Sequence, residues 1–180
     1  MELQFINEFQ ISKSDSEEIN SFLKRCFPDI DYEGRDHFKQ LPHYRILAKD
    51  KGKIIGQLGI DFRVMNLNGQ AISVFGVIDL CVDPQFQNRG IGKALMNELE
   101  IIAKNSSDKV DCLFLVTGDP PYYERLGFRI TNLTTTWLKL DSFNNYGVST
   151  EKIADAFFMV KEISDRKWVD GDLDLLGYMY

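Results

Sequence analysis

Residues 79–100, DLCVDPQFQNRGIGKALMNELE, change character halfway and so commit the chain to one order of elements. An apolar strand breaks at Asp83-Pro84, because proline has no N–H to give a ladder and biases the residue before it away from the helical region. A polar run then reaches Gly90 and Gly92. Beyond them Ile91, Leu95, Leu99 and Ile102 recur at helical spacing, while Lys93, Asn97, Glu98 and Lys104 take the opposite side. Such a helix needs a sheet to cover, and the apolar run VDCLFLV at 110–116 supplies the next strand. Strand, helix, strand in one sheet is a parallel crossover.

The flanking sequence is of a different kind. In the stretch from Tyr44 to Asp83 the turn signals KDKGK and NLNGQ separate three apolar runs, the pattern of antiparallel hairpins. Upstream, LQFINEFQI reads as a strand. SDSEEINSFLKRCF reads as a helix with Ser14 or Asp15 as its cap and Ile19, Phe22, Leu23 and Phe27 as its apolar stripe. A short helix is predicted near GRDHFKQL, residues 34–41, and another over PYYERLGF, closing on Gly127. TTTWLKL and AFFMVKEI read as further strands. One parallel crossover inside an antiparallel meander predicts an α+β fold, a mixed and mostly antiparallel sheet flanked by helices. With 180 residues, 44% hydrophobic and 27% charged, the composition suits a single domain over 1–180.

Several function classes fall away. No segment has the uninterrupted apolar length needed to cross a bilayer, so no membrane partner is expected. The start, MELQFINEFQ, lacks the basic and apolar regions of a secretory signal, and a cytoplasmic location is expected. Cys26, Cys81 and Cys112 are too few and too scattered for a disulfide framework. With His37 and His43 they form no metal-spaced cluster, so no metal is assigned. A formal charge of −6 disfavours nucleic acid and is easier to reconcile with cationic small molecules.

The glycine turn admits two readings. A helix N-terminus presents unpaired N–H groups and the positive end of the macrodipole, so a side-chain-poor turn there can cradle phosphates. Equally, Gly90 and Gly92 can simply permit a tight turn and close helix packing. Two phosphate-binding patterns fail. A Walker A loop needs a glycine where Gln87 stands and Ser or Thr where Ala94 stands, and a dinucleotide fingerprint needs a third glycine where Leu95 stands.

QNRGIG does match the Q/R-x-x-G-x-G/A signature of the GNAT superfamily of N-acetyltransferases, in that family's position between a strand and a helix. GDPPYYERLGF at 118–128 resembles its later motif, in which an aromatic pair precedes a Gly-aromatic step into a strand. The resemblance implies a GNAT-like sheet and acetyl-CoA as cosubstrate. It implies that the pyrophosphate rests on Gln87, Asn88, Arg89, Gly90, Ile91, Gly92 and Lys93. The pantetheine arm would run beside Leu80, Cys81 and Val82, where a local bulge frees strand backbone, with an amide near Cys81 holding the acetyl oxygen. Cys81 itself reads as a small packing residue. Asp79, at the family's acidic position on this strand, is the implied base, with burial expected to raise its pKa or a water chain to relay the proton; otherwise it is a polar strand residue capped by backbone donors. Tyr123 is the implied acid toward the departing thiolate.

The CoA motifs are silent on the acceptor. The tail KWVDGDLDLLGYMY, with Asp170, Asp172 and Asp174 around Gly171, resembles the close of aminoglycoside 2'-N-acetyltransferases. That likeness implies a small cationic amine as acceptor, met by Asp172, Asp174 and, in the acidic stretch DIDYEGRDHF, Asp36. A solvated loop ending in a final strand is the other reading of the tail. A non-catalytic acyl-CoA sensor and an enzyme acting on a protein or peptide amine stand as alternatives, and a homodimer is a possible assembly.

Overall fold

The computed structural model describes residues 1–30, 37, 39–141 and 144–180. They form two compact units, one of Met1–Asp61 with Ile78–Leu99, the other of Phe62–Val77 with Glu100–Tyr180. The sheet is mixed and mostly antiparallel, as the alternation of hairpins and a single crossover helix predicts. Among the described residues no helix is long and apolar enough to cross a membrane.

In the first unit β1 (Glu2–Asn7) pairs antiparallel with β2 (Tyr44–Asp50), from Glu2↔Lys49 to Asn7↔Tyr44. β2 turns through Lys51 and Gly52, both at positive φ, into β3 (Lys53–Leu67). This is the backbone that a two-residue hairpin of right-handed twist demands, and KDKGK supplies it. Helix α1 (Lys13–Cys26) starts earlier than its charge pattern suggests. Ser12 is the cap, its hydroxyl accepting the Asp15 N–H at 3.1 Å, and Asp15 falls in the first turn, where a carboxylate favours the helix dipole. Ile19, Phe22 and Leu23 are fully buried, and they pack with Leu47, Ile54 and Cys81. Of the short helix expected near 34–41, residues 34–36 and 38 lie outside the described set, and residues 37 and 39–41 are not helical.

In the second unit the strand order is β6-β9-β5-β4-β3-β10-β7-β8. Here β3 and β4 (Gln70–Val82) meet through Asn68 and Gly69, again both at positive φ. The expected crossover is present: β5 (Cys112–Thr117) runs parallel to β4, from Val74↔Cys112 to Gly76↔Phe114. β9 (Phe157–Glu162) lies antiparallel on β5, and β6 (Arg129–Ile130) on β9. A second parallel pair, β10 (Gly171–Tyr178) with β7 (Leu133–Asp141), was not legible in the sequence. Nor was β8 (Asn144–Glu151), which pairs antiparallel with β7. Its sequence NNYGVSTE is exposed almost throughout, so there is no buried face to print an alternation. Helix α2 (Ile91–Lys104) buries Ile91, Leu95 and Leu99 as the stripe predicts, with Met96 and Ala103 beside them and Ile102 half-buried.

The core of the second unit is aromatic. Phe114 stacks on Phe158 and on Trp168, with ring centres 5.8 and 5.6 Å apart. The Tyr180 ring covers Gly76 so closely that a Cβ there would collide with it. Arg63 lies over the Tyr178 and Tyr180 rings at 4.4 and 4.8 Å.

Glu162 ties the Trp168 segment to this core by accepting the Trp168 N–H at 2.9 Å. That bond holds its carboxyl below the ordinary glutamate value against the cost of burial, with help from Lys167 and Arg129. A depressed carboxylate stabilises the fold above its unfolded pKa of about 4.3, and the contribution is lost as pH falls toward the folded value. Glu162→Gln is therefore expected to lower the thermal midpoint at pH 7 and to flatten its fall between pH 5 and 3. Parallel melting curves for wild type and variant at every pH would show that the carboxylate contributes nothing.

Candidate active site

The end of β4 is not a regular strand. Asp79 has φ +49°, a left-handed conformation that costs a residue bearing a Cβ roughly 1–2 kcal/mol. A kink of this kind interrupts pairing and turns the following N–H groups away from the ladder. The Asp79 carbonyl accepts a hydrogen bond from the side-chain amide of Gln57 on β3, at 3.1 Å. Two glycines flank that contact. A Cβ on Gly59 would lie 2.8 Å from Ile78 Cγ1, and one on Gly56 would lie 2.9 Å from Ile91 Cγ2 and 3.4 Å from the Cys81 carbonyl. Close approach of β3 to β4 and to the first turn of α2 therefore needs glycine at both places.

From Val82 the chain is led outward by a series of local bonds. Asp83 N–H donates to the Ile55 carbonyl at 3.0 Å, and the Asp83 carboxylate caps a 3-10 turn over Pro84–Phe86 by accepting the Gln85 N–H. The Gln87 amide donates back to the Val82 carbonyl at 3.3 Å. Asn88 and Gly90 then take positive φ, +60° and +80°, on either side of Arg89. The Ala94 N–H donates to the Gly90 carbonyl at 2.9 Å, so the N–H groups ahead of it in the first turn have no helical acceptor. A Cβ built on Gly90 meets no atom within 4 Å. Open space, orphan donors and the positive end of a long helix together fit a diphosphate. The Arg89 guanidinium is drawn back, donating to the Gln85 carbonyl at 3.1 Å and lying over the Phe86 ring, whereas Lys93 is exposed.

All of Asp79, Leu80, Cys81, Val82 and Gln87 through Lys93 thus lie in the first unit, within one strand-turn-helix passage. Burial raises the Asp79 carboxyl above its ordinary value, as expected from the sequence, although Arg45, His37 and Lys39 each oppose the rise. Cys81 is 8% exposed. Its thiol contacts that of Cys26, and burial pushes it well above the usual thiol range, which suits packing and not nucleophilic chemistry.

Tyr123 belongs to the second unit. It sits on the short helix α3 (Pro120–Glu124), whose return is made by Gly127 at φ +86° and by the Phe128 N–H donating to the Tyr123 carbonyl. Its ring is packed edge-on between Tyr122 and Phe128, with centres 5.0 and 5.9 Å away. Burial, with Tyr122 and Asp119 adding to it, pushes its phenol up to about 12.

Asp172 and Asp174 also lie in the second unit and have local work. The Asp172 backbone exchanges bonds with Asn68 at the β3–β4 turn, and the Asp174 carboxylate accepts the Leu176 N–H. With Asn66, Thr134, Thr136 and Thr150 they line a polar cavity of about 330 Å³. Asp36 lies outside the described residues. Sequence reasoning missed Gly56, Gln57 and Gly59. Their signal is the stretch IIGQLGI, a central strand that carries two glycines around one amide.

Residues 10–131 match the family model described as an acetyltransferase (GNAT) domain. Over 92 residues, 49% of the chain, the sequence is 30% identical to an uncharacterized N-acetyltransferase of Methanocaldococcus jannaschii, and the matched stretch spans 40% of that relative's length. Among solved structures, a GNAT family N-acetyltransferase from Escherichia coli in complex with CoA superposes with a TM-score of 0.64 at 18% identity, covering 97% of this chain and 88% of that one. An aminoglycoside 6'-N-acetyltransferase complexed with coenzyme A gives 0.62 at 16% identity, over 93% and 100% of the two chains. A Brucella melitensis GNAT family acetyltransferase in complex with acetyl-CoA gives 0.59 at 18%, over 96% and 94%. At these identities the superpositions establish the fold.

The glycine contacts make a direct prediction. Gly56→Ala should push the first turn of α2 off the strand and destabilise the protein by about 1–3 kcal/mol, the usual cost of overpacking. Chemical denaturation measures it; wild-type stability would mean that α2 has slack against β3.

Proposed function

This chain belongs to the GNAT acetyltransferase family, and we propose that it transfers the acetyl group of acetyl-CoA to a primary amine by direct attack. The observation that carries the reading is the joining, within one passage, of a left-handed kink at Asp79 to an open turn with positive φ at Asn88 and Gly90 that starts a helix. A strand kinked before Leu80 offers N–H groups to an extended amide-bearing arm, and orphan helix donors suit the diphosphate at the end of that arm.

Bound acetyl-CoA supplies the thioester. A C–N bond forms to the acetyl carbon, the C–S bond breaks, and one proton must leave the amine while one reaches the sulfur. Asp79 is the proposed base. An ammonium near 10.4 and a carboxylate near 3.9 are poorly matched, by about 6.5 in pKa. Burial of Asp79 narrows that gap, and the positive charges of Arg45, His37 and Lys39 limit how far it closes. The N–H near Cys81 is the proposed donor to the acetyl oxygen. Tyr123 is the proposed partner of the leaving sulfur. Its phenol, pushed up to about 12, remains fully protonated at neutral pH and ready to donate. Full transfer to a thiolate of about 8.5 is uphill by roughly 5 kcal/mol, so the role that fits Tyr123 is a hydrogen bond to the developing thiolate. For the acceptor we propose a small cationic amine, a class that the net charge of −6 supports.

The decisive experiment is calorimetry with acetyl-CoA, followed by thiol release with aminoglycosides, polyamines and short peptides side by side. Binding with release on a small polycation is expected. No acetyl-CoA binding by folded protein would overturn the reading, and binding without release on any amine would leave only an acyl-CoA sensor.

Asp79 offers a second test with opposite signs for stability and rate. A carboxyl raised in the folded state contributes stability below its unfolded pKa and loses it as pH rises through the folded value. At pH 7 the buried carboxyl is therefore a cost, and asparagine tolerates positive φ well. Asp79→Asn is expected to raise the thermal midpoint at pH 7, to lower kcat by about 100-fold or more, and to abolish the acid limb of the pH–rate profile. An unchanged kcat would remove Asp79 from the chemistry.

A further inference from the structure

We propose that Gln57 is a positioning residue for the reaction: its side-chain amide, held in one orientation by Arg45 and Glu8, clamps the left-handed turn at Asp79 and so aims the N–H groups that follow it. This inference rests on the acetyltransferase reading of that strand.

The clamp is a polar diagonal across the buried face of a sheet. Arg45 stands opposite Gly59 on β3 and opposite Ile6 on β1, so its side chain shares a face with Gln57, two residues from Gly59, and with Glu8, two residues beyond Ile6. Arg45 is 1% exposed and Gln57 0%. The guanidinium donates to Glu8 twice, Nε to Oε2 at 2.8 Å and Nη2 to Oε1 at 3.0 Å, and its Nη1 donates to Gln57 Oε1 at 2.8 Å. Gln57 Nε2 then donates to the Asp79 carbonyl at 3.1 Å.

The chemistry of the groups fixes the direction of the chain. Arginine can only donate, so the atom of Gln57 facing it must be the carbonyl oxygen, and the NH₂ is left to face Asp79. The amide cannot flip without setting donor against donor at one end and acceptor against acceptor at the other. A network that served only to bury an ion pair would end at Glu8 and Arg45. This one ends on a backbone carbonyl, that of the residue with φ +49°. Conformations of that kind persist where their surroundings over-determine them, and Gln57 is the group that does so here. Gly59 and Gly56 bring β3 near enough for the short amide to reach.

Gln57→Glu separates clamp from scaffold. It keeps an acceptor for Arg45, and with it the buried network, but removes the donor and sets a carboxylate against the Asp79 carbonyl. The variant is expected to remain folded, with the Leu80–Val82 amides exchanging hydrogen more slowly as the relaxed strand returns them to the ladder. Acetyl-CoA affinity should fall about tenfold or more, while affinity for CoA, which has no acetyl oxygen to hold, falls less. A scaffold role would weaken both ligands alike. Gln57→Met, which keeps the volume without the amide, is the second variant, with the same outcomes expected. Folded variants whose acetyl-CoA affinity stays within twofold of wild type and whose exchange is unchanged would overturn the proposal, as would failure of both variants to fold. If wild type itself binds no acetyl-CoA, the acetyltransferase reading falls, and exchange at Leu80–Val82 still decides whether Gln57 is the clamp.

Discussion

A residue with a side chain held at φ +49° inside a strand is a local free-energy cost, and β4 keeps one at Asp79. The rest of the first unit can be understood as what makes that conformation the stable one. Gly59 brings β3 against Ile78, Gly56 lets α2 close over Cys81, and the Gln57 amide takes the Asp79 carbonyl that a ladder would otherwise pair. From there Asp83 and Gln87 bond back to β3 and β4 and bring the chain to Gly90, where the helix donors begin. Under the proposed function, relaxing the kink would misdirect the N–H groups of Leu80 to Val82 while leaving the turn at Gly90 intact, so that ligand grip and thioester alignment would be separable properties of one passage.

The same passage explains why a sheet interior carries an arginine. A buried ion pair is weak evidence for stability, since an apolar set of similar volume often does as well. Arg45 does what an apolar residue cannot: it orients Gln57, and its charge opposes the rise of the Asp79 carboxyl. Without Arg45, burial would carry Asp79 further toward its protonated form, in which it cannot accept a proton. One guanidinium therefore links strand geometry to the ionisation of the proposed base.

Much of this was legible in the sequence because turns and amphipathic stripes are local. KDKGK and NLNGQ fixed two hairpins, and Ile91, Leu95 and Leu99 fixed the buried side of α2. QNRGIG marked the start of α2 for the same reason, since a helix start and its glycines lie within a few residues. β8 escaped because it buries almost nothing, and the parallel pairing of β10 with β7 escaped because pairing partners far apart in the chain leave no periodic trace. The clamp is of that second sort. Glu8, Arg45, Gln57 and Asp79 come from four separate segments, and only the glycines around Gln57 hint that β3 has an unusual neighbour. The N-cap at Ser12 was missed for a smaller reason, four candidate caps in five residues, Ser12, Ser14, Asp15 and Ser16.

Loss of water acts in one direction on the two titrating groups of the proposed chemistry and has opposite consequences for them. It raises Asp79, which makes the carboxylate a better base, and it raises Tyr123 to about 12, which makes the phenol a poorer acid. A mechanism that needed both to move protons fully would gain at one end and lose at the other. The conflict disappears if Tyr123 only donates a hydrogen bond. A phenol that cannot ionise near neutrality stays a donor across the working range, and its bond strengthens as negative charge builds on sulfur. The proton that sulfur finally acquires can then come from solvent after the C–S bond has broken, when a thiolate near 8.5 takes one up readily at neutral pH. On this account pH dependence belongs to the amine and to Asp79, and the tyrosine contributes to rate without contributing a limb to the profile.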